Sequence, residues 1–316
     1  MKTGLSHWLD KFPGLRLTLW GDMVADEFLA GEIARVSREA PVLILKHRTR
    51  TLVPGGGANA AMNLAALGVR VAVVGVCGED ETGRELRRAL KRAGVDTAAL
   101  LALRGYITPT KTRILAHHAH TKPQQVVRMD REPAPLAPAI AGRLARNATR
   151  LARRSHALLL SDYGYGAVSP ALAAGAVAAL PAPRLACLDA RFQISGYRGV
   201  TAATPNESEV EAALGITIAG DARALDAAGR RLRTRLGCQY LLITRGRDGM
   251  ALFEPGRPTR WLEVHGGRQA LDVTGAGDTV LAAFTAALAA GASGIEAAQI
   301  ANVAGGLVVM KPGTAT

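Results

Sequence analysis

A glycine-rich acidic motif near the end of the chain carries the strongest chemical signal in the sequence. It spans Asp272–Thr279 (DVTGAGDT) and leads directly into a long apolar stretch of helical composition. Glycines at a helix N-terminus let unpaired backbone N–H groups approach an anion closely, and the helix dipole adds positive charge there. A carboxylate in such a cradle, here Asp278, can accept a proton from an attacking hydroxyl while the amides stabilise a transferring phosphoryl group. The alternative is a plain glycine-rich turn in which Asp278 only caps the first helical turn.

A second glycine-rich segment, residues 54–59 (PGGGAN), leads into another helical stretch. Three consecutive glycines let the backbone approach a polyhydroxylated ligand, and the Asn59 amide offers both a donor and an acceptor. A structural strand-to-helix loop explains the same residues equally well. Asp22 follows the predicted strand 17–20, at the carboxyl end where open α/β sheets bind ligands. For Asp22, a turn or helix cap is the alternative.

The polar segment 204–209 (TPNESE) allows two interpretations. Asn206 with Glu209 three residues later is a helix-start pattern. The same pair is also suited to hydrated Mg²⁺ beside nucleotide phosphates, because Mg²⁺ keeps most of its waters and uses few carboxylates. Thr244 and Gly246 lie at the end of another predicted strand, and taken alone this segment favours a strand–turn–strand connection.

These motifs lie between short apolar strands that alternate with helical segments. The valine-rich run 69–76 is typical of a buried parallel strand, and similar runs occur at 156–160, 185–188 and 240–244. This alternation predicts an α/β fold, with a mostly parallel central sheet flanked by helices on both faces. We interpret residues 1–316 as a single domain.

Two segments interrupt the alternation, at about residues 32–52 and 106–131. They are rich in β-branched and polar residues, as in 111–115 (KTRIL), and they lack a crossover pattern of their own. We expect them to form an antiparallel flap, or small β lid, that stands off the main sheet.

Composition excludes several classes of protein. The net charge of +13 comes from 39 Lys+Arg against 26 Asp+Glu, and aromatic residues make up only 4%. Because most positive residues fall on polar sides of predicted helices and few rings are present for base stacking, we expect no nucleic-acid partner. The charge would favour an anionic small molecule such as a phosphate ester. P-loop, Gly-x-Ser-x-Gly and His-Glu-x-x-His motifs are absent.

The sequence also gives expectations about location. No run approaches the roughly 18 uninterrupted apolar residues of a membrane helix, and residues 1–14 lack the apolar region of a signal peptide. The three cysteines, Cys77, Cys187 and Cys238, have the spacing of neither a disulfide framework nor a zinc site. We therefore expect a cytoplasmic protein without a membrane partner.

At its two glycine-rich motifs the chain resembles the PfkB, or ribokinase-like, family of sugar kinases. The run 55–59 (GGGAN), which includes Gly56, Gly57 and Asn59, contains the Gly-Gly-x-x-Asn motif of that family, and Asp272 to Asp278 match Asp-x-x-Gly-Ala-Gly-Asp. The motifs occur in the expected order, about 220 residues apart. Within the family the chain is most similar to the kinase domain of heptose biosynthesis enzymes, which phosphorylates D-glycero-β-D-manno-heptose 7-phosphate at O1. The resemblance implies a ribokinase-like fold.

The resemblance also implies roles for individual residues. Asp278 would take the proton from the sugar hydroxyl, with Gly275, Ala276 and Gly277 as the anion hole. Substrate contacts are implied for Asp22, Asp26, Gly56, Gly57, Asn59, Lys111, Arg113 and Asp162. ATP contacts are implied for Asn206, Glu207, Ser208, Glu209, Thr244, Gly246 and Asn302. Asn206 and Glu209 would also hold Mg²⁺, mainly through water, and the resemblance leaves room for a monovalent cation.

We assign Lys111 and Arg113 to the phosphate of the substrate, because a bound dianion needs fixed cations. Ordinary exposed strand charge is the alternative for both. Lid strands of this kind often pair across a dimer in the family, so we expect a homodimer through the lid.

The chain departs from the heptose kinases at two positions. Tyr165 stands where related kinases usually carry a lysine, and Arg191 ends a segment, Asp189–Arg191, that is commonly Asp-Pro-Lys. These departures leave open a PfkB-family kinase for another sugar, such as a ribose-, fructose- or ketodeoxygluconate-like one. A more distant alternative is a non-catalytic nucleic-acid-binding protein. No His-x-Gly-His motif occurs in these 316 residues, so we expect no adenylyl transfer from them.

Overall fold

Two β-sheets organise the part of the chain that the computed structural model describes, which is residues 4–118, 123–266 and 270–316. The strands in these ranges are β1 (Arg16–Gly21), β2 (Met23–Val36), β3 (Leu43–Gly56), β4 (Arg70–Gly78), β5 (Asp96–Leu103), β6 (Thr110–His117), β7 (Gln124–Arg131), β8 (Ala157–Asp162), β9 (Ala186–Ala190), β10 (Ala202–Ala203), β11 (Tyr240–Thr244), β12 (Met250–Phe253) and β13 (Arg260–Leu262). The helices are α1 (Ser6–Leu9), α2 (Gly57–Ala66), α3 (Glu81–Arg92), α4 (Pro138–Ala152), α5 (Pro170–Ala178), α6 (Glu207–Leu214), α7 (Ala222–Leu236), α8 (Ala276–Ala289) and α9 (Gly294–Val308).

The larger sheet has nine strands in the order β13-β12-β11-β10-β9-β8-β1-β4-β5. Its strands pair in parallel from β11 through to β5, and only β12 and β13 pair antiparallel. Because the carboxyl ends of parallel strands meet at one edge, this topology gathers the loops after β1, β8, β9 and β11 on the same side of the molecule. The predicted α/β fold with a mostly parallel central sheet is confirmed.

Side-chain alternation along the central strands explains why helices cover both faces. Leu158 and Leu160 of β8 pack into one buried cluster with α4, α5 and α7, whereas Leu159 points into the opposite cluster with α2, α8 and α9. Successive residues of a strand face opposite sides, so a strand that is apolar throughout needs helices on both. This packing fixes the N-termini of α2 and α8 beside the carboxyl ends of β1 and β8.

The smaller sheet is the lid, with strands in the order β3-β2-β6-β7. β2 pairs antiparallel with β3, and β6 with β7, as expected for a flap. However, β2 and β6 pair in parallel, so the expectation of an antiparallel sheet throughout is wrong at this ladder. The lid also differs in extent from the predicted segments 32–52 and 106–131: it begins at Met23, and its second half begins at Thr110. Residues 119–122 lie outside the described ranges.

The strand β2 connects the lid to the floor of the molecule without a break. Its first residues, Met23–Glu27, are buried, and its last, Arg35 and Val36, are exposed. The ladder with β3 shifts register between Ala30 and Gly31 and again further out. The inner half of the lid is therefore part of the core, while the outer half projects into solvent.

Across residues 4–118, 123–266 and 270–316, none of the helices combines the length and hydrophobicity that crossing a bilayer requires. The thiols of Cys77, Cys187 and Cys238 are all buried and free.

Candidate active site

The N-terminus of α8 forms an open amide cradle. Gly275 precedes the helix with φ of +78°, a left-handed conformation that favours glycine. A Cβ at Gly275 would lie 2.5 Å from Asn59 Nδ2, so a side chain is excluded here on space as well. Among the described residues, the N–H groups of Gly275 and Gly277 have no hydrogen-bond partner. These free donors and the helix dipole are suited to an anion, whereas the Ala276 N–H donates to the Val273 carbonyl (3.2 Å). The anion hole itself stays a prediction.

Asp278 lies in the first turn of α8 and is only 2% exposed. Its Oδ2 accepts a hydrogen bond from Asn59 Nδ2 (3.0 Å), and its Oδ1 accepts one from the Tyr163 hydroxyl (2.8 Å). Burial raises the pKa of Asp278 to about 7, even though these two hydrogen bonds and Lys111 lower it. A carboxylate with this pKa can take up a proton near neutral pH, as a general base must.

Asn59 connects α2 to α8, the two helices that begin in the glycine-rich motifs. Its amide nitrogen also donates to the Gly275 carbonyl (3.2 Å), and its side-chain oxygen accepts from Asn63 Nδ2 (3.1 Å). Asn63 in turn accepts a hydrogen bond from the Thr279 hydroxyl (3.1 Å). Both polar side-chain atoms of Asn59 thus have partners within the chain, and their effect is to fix the Asp278 carboxylate. Its predicted contact with sugar hydroxyls stays a prediction.

The carboxylate of Asp22 holds the backbone of the loop that follows β8. Its carboxylate accepts backbone hydrogen bonds from Tyr163 (2.8 Å), Tyr165 (3.0 Å) and Ala167 (3.0 Å). Burial raises its pKa to about 6, with these amides opposing the rise. Asp22 therefore positions the loop after β8, and its predicted contact with sugar hydroxyls stays a prediction. The same is true of Gly56, which adopts φ of +52° against Val24 and Tyr163.

Gly57 opens α2 directly beneath this loop. Its N–H donates to the Asp22 carbonyl (3.1 Å), and an added Cβ would lie 3.0 Å from that oxygen. Gly57 thus lets the start of α2 approach the end of β1, which carries Asn59 toward Asp278.

The lid brings three charged residues over Asp278: Asp26, Lys111 and Arg113. Arg113 forms an ion pair with Asp26 (2.5 Å), and both side chains are largely buried. The other oxygen of Asp26 accepts a hydrogen bond from the Thr314 hydroxyl (2.7 Å). Lys111 is 8% exposed, with its ammonium 4.7 Å from the centre of the Tyr163 ring. Lys111 therefore remains available to a ligand, whereas the Arg113 charge is already balanced by Asp26.

These groups face a central cleft of about 520 Å³ between the lid and the large sheet. The following residues line it: Lys111, Arg113, Arg128, Asp162, Tyr163, Asp189, Arg191, Phe192, Thr204, Asn206, Ser208, Glu209, Ala212, Thr244, Thr274, Gly275, Gly277 and Asp278. The central cleft thus joins the segments 272–279 and 204–209, and it contains most of the predicted polar site residues, whereas Gly56, Gly57 and Asn59 do not line it.

Carboxylates crowd the floor of the central cleft. Burial, followed by repulsion from Glu209, Asp278 and Asp162, raises the pKa of Asp189. Burial likewise raises the pKa of Glu209. Asp162 is held by the Tyr197 hydroxyl (2.7 Å) and the Gly164 N–H (2.9 Å). A group of acids whose ionised forms are disfavoured in this way would be stabilised by a bound cation.

A second, largely apolar cleft of about 410 Å³ continues from the central one. It shares Asn206, Thr244 and Gly277 with the central cleft and is lined further by Gly246 and Asn302. Asn302 donates to the Glu263 carbonyl (2.6 Å) from α9. We refer to this space as the apolar cleft.

The helix-start explanation of the segment 204–209 holds in the structure, and the Mg²⁺ role of Asn206 and Glu209 stays a prediction. Asn206 and Glu209 form a reciprocal capping box at α6, each bond being 2.9 Å. The two side chains also line the central cleft, together with Ser208. Glu207 does not line the central or the apolar cleft and instead pairs with Arg245 (2.8 Å).

Sequence analysis assigned no role to Tyr163, Asp189, Arg128 or Thr314, all of which the structure brings to the site. Tyr163 and Asp189 could have been found from their positions at the carboxyl ends of β8 and β9, where ligands bind in such sheets. Thr314 gave no signal, because its contact with Asp26 joins residues 288 positions apart.

The fold and this site define a carbohydrate kinase. Residues 23–135 and 170–316 match the family model described as "pfkB family carbohydrate kinase". The chain belongs to this family, whose members are phosphotransferases that act on sugars and, as kinases, use ATP.

Among curated proteins, the chain is similar to several called "Bifunctional protein HldE". It is 38% identical to the one from Desulfatibacillum aliphaticivorans, over 100% of this chain and 64% of that protein. It is 39% identical to the one from Pelobacter propionicus, over 94% of this chain and 60% of that protein. The chain thus spans less than two thirds of the length of these relatives.

Solved structures share the fold. Arabidopsis thaliana ribokinase complexed with ribose and ATP superposes with a TM-score of 0.74 at 22% identity, covering 95% of this chain and 94% of that one. Phosphofructokinase-2 from Escherichia coli in complex with fructose-6-phosphate gives 0.74 at 18% identity, covering 92% and 93%. The predicted ribokinase-like fold is confirmed.

Proposed function

We propose that this chain transfers the γ-phosphoryl group of ATP to O1 of a sugar phosphate, D-glycero-β-D-manno-heptose 7-phosphate, and yields the 1,7-bisphosphate. The observation that carries the proposal is the position of Asp278, a buried carboxylate with a pKa near neutrality at the open N-terminus of α8. The similarity to the HldE proteins over nearly the whole chain supports the choice of sugar.

Asp278 acts as the base in this reaction. The O1 oxygen forms a bond to the γ-phosphorus while its proton passes to the carboxylate, and the bond from that phosphorus to the β–γ bridging oxygen breaks to release ADP. Asn59 and Tyr163 keep the carboxylate aimed at the central cleft during this step. Both carboxylate oxygens keep a lone pair for the incoming proton, since each accepts only one hydrogen bond in the structure.

The amides at the start of α8 stabilise the charge that develops on the phosphoryl group. The free N–H groups of Gly275 and Gly277 face the same cleft as Asp278. Such donors are already oriented before the reaction, so little reorganisation is needed when charge moves onto the transferring oxygens. The proton acceptor and the anion hole therefore act on the two ends of one reacting bond.

The residues present fit ATP and Mg²⁺. The apolar cleft suits a nucleoside, and it shares Gly277 with the central cleft where the phosphates must lie. The Thr204 hydroxyl lines the central cleft and is buried without a partner among the described residues. We propose that the cytoplasm, which supplies ATP, is the site of the reaction.

Asn206 and Glu209 would hold Mg²⁺, with Asp189 near them. No three or more His, Cys, Asp or Glu residues group as a metal site within the described ranges, so phosphates and water would supply most ligands. Bound there, Mg²⁺ would neutralise charge on the phosphates.

We also propose a homodimer through the lid. Residues 124–131 of β7 are exposed throughout, and Val127 and Met129 alternate with the cleft-lining Arg128, which puts them on the opposite face of the sheet. Light scattering should give twice the chain mass for the wild type. Val127→Asp should give the chain mass, and an unchanged dimer in this variant would contradict the proposal.

The reaction is tested by coupled ADP release on a panel of sugars and sugar phosphates that includes heptose 7-phosphate, ribose and fructose 6-phosphate. We expect heptose 7-phosphate to give the highest kcat/KM. Asp278→Asn should lose several orders of magnitude in kcat, whereas Asp10→Asn, at an exposed aspartate far from the clefts, should not. Release on no sugar, or near-normal turnover by Asp278→Asn, would overturn the proposal.

A further inference from the structure

Two cations face each other across the central cleft. Lys111 extends from the lid strand β6, and Arg191 follows β9 on the large sheet. Burial and the nearby positive charge of Arg191 lower the pKa of Lys111. Like charges that face a common space repel each other, and an anion bound between them removes that repulsion.

Arg191 has no carboxylate partner among the described residues. Its guanidinium lies 5.6 Å from the centre of the Phe192 ring, a stacking contact that limits its motion. Phe192 itself packs on Gly164, where an added Cβ would lie 2.8 Å from the ring. Both Arg191 and Phe192 are exposed, so the contact leaves the five donors of Arg191 available to a ligand.

The other arginines of the cleft are already neutralised. Arg113 is paired with Asp26, and Arg128 makes two hydrogen bonds to Asp130 (2.9 and 3.0 Å). The choice of Arg113 as a phosphate ligand stays a prediction, but its charge is already balanced by Asp26. Arg191 forms no such ion pair among the described residues, and its positive charge acts on the nearby Glu209 only by lowering the pKa of that carboxyl.

Arg191 does not line the apolar cleft. It lines an outer cleft of about 680 Å³ with Tyr165, Gly166 and Ser169, and the central and outer clefts share Arg128, Tyr163, Arg191 and Phe192. The residues that line the outer cleft and those that line the apolar cleft have no member in common. An acceptor whose reacting hydroxyl lies at Asp278 can extend past Arg191 into the outer cleft, opposite to the nucleotide.

We propose that Arg191, with Lys111 across the cleft, binds the phosphate group that the acceptor sugar already carries, and so selects phosphorylated over unphosphorylated sugars. This inference rests on the proposed function and names the residue that sets its substrate class. A planar guanidinium that donates two parallel hydrogen bonds suits a phosphate dianion.

The test compares Arg191→Gln, Arg191→Lys and the control Arg104→Gln, whose side chain is 97% exposed at the end of β5. KM and kcat are measured for heptose 7-phosphate, for the unphosphorylated heptose and for ATP. We expect Arg191→Gln to raise KM for heptose 7-phosphate about 10- to 100-fold, as loss of a hydrogen bond between charged groups does. Its KM for ATP and its kcat/KM for the unphosphorylated heptose should change by less than about twofold, like those of the control. Arg191→Lys should recover part of the loss.

Two results would overturn the inference. One is an Arg191→Gln enzyme with an unchanged KM for heptose 7-phosphate, and the other is an increase that falls on KM for ATP instead. If the wild type turns over no sugar phosphate, the proposed function fails, and calorimetry then decides the assignment of Arg191. Heptose 7-phosphate that binds the wild type and Arg191→Gln equally would refute it, while weaker binding to the variant alone would support it.

Discussion

The Tyr163 hydroxyl donates a 2.8 Å hydrogen bond to the Asp278 carboxylate, opposite the one from Asn59. The pKa of Tyr163 lies well above its usual value, because of burial and the negative charge of Asp278. The raised pKa of Tyr163 favours its protonated form, which donates to Asp278. Its effect is to favour the ionised form of Asp278, against the desolvation that favours the neutral form.

Tyr163→Phe should move the acid limb of the kcat/KM profile to higher pH. Asp278 must be ionised to act as a base, so activity rises with pH through its pKa of about 7. Loss of the donor raises that pKa further, and we expect the limb to shift upward by about one pH unit. The control Tyr240→Phe removes a hydroxyl that accepts a hydrogen bond from Gln239 Nε2, away from Asp278, and should leave the profile unchanged. A uniform drop in rate at all pH values would contradict a role for Tyr163 in tuning Asp278.

Asp278→Asn should stabilise the protein at alkaline pH. The pKa of Asp278 rises from 3.8 to about 7 on folding, so its contribution to stability is fully present below pH 3.8 and is lost as the pH rises through 7. The total loss is up to about 4 kcal/mol. The free energy of unfolding, measured in urea, should decrease less between pH 4 and pH 8 for Asp278→Asn than for the wild type and for Asp10→Asn. An equal decrease in all three proteins would show that Asp278 is not strained by burial.

Comparing Gly275→Ala with Gly277→Ala should distinguish the contribution of the cradle to stability from its contribution to phosphate binding. The Cβ of an alanine at 275 would lie 2.5 Å from Asn59 Nδ2, and the residue would have to adopt an unfavourable φ of +78°. We therefore expect lower stability and a loss of kcat. An alanine at 277 meets nothing within 4 Å, and in a helix it adds about 0.5–1 kcal/mol of stability. This second variant should unfold no earlier than the wild type but have a higher KM for ATP. Equal effects in the two variants would be inconsistent with the cradle described for α8.

Arg113→Gln should destabilise the fold, since it leaves Asp26 buried without its cation. Breaking a buried pair costs about 3 kcal/mol, and we expect a decrease of that size in the free energy of unfolding. The exposed pair of Arg128 and Asp130 provides the comparison, because Arg128→Gln should cost less than about 1 kcal/mol. Combining Arg113→Gln with Asp26→Asn should recover most of the loss. A decrease below 1 kcal/mol for Arg113→Gln would indicate that the charge is free for substrate after all.

Much of the fold could be predicted because its strands carry local signals. The valine-rich β4 and the leucines of β8 are buried on both faces, so their composition alone indicates parallel strands. The lid was harder, since β2 and β6 come from segments more than 70 residues apart and pair in parallel. No turn sequence encodes that ladder, and the predicted antiparallel flap was therefore incomplete.

The residues of the candidate site also differ in whether a local sequence pattern predicts them. Asp278 and Gly275 were found because helix-terminal glycines beside an acid leave a recognisable pattern. The ion pair of Arg113 could not be predicted, because it depends on which carboxylate the fold brings to the guanidinium. Asp26 lies in another strand, and only the pairing of β2 with β6 sets Arg113 beside it. The sequence therefore predicts which charged residues lie at the site, whereas the pairing of distant strands determines which of them are available to a ligand.

The interrupted ladder of β2 determines which part of the lid can change shape. Bulged strands bend where their pairing shifts, and the first shift lies between Ala30 and Gly31. Asp26 and its partners lie before that point, in the buried half of the strand. A bend at this shift would displace the outer tip of the lid but not Asp26, so the spacing of the charges around Asp278 does not depend on the position of the tip.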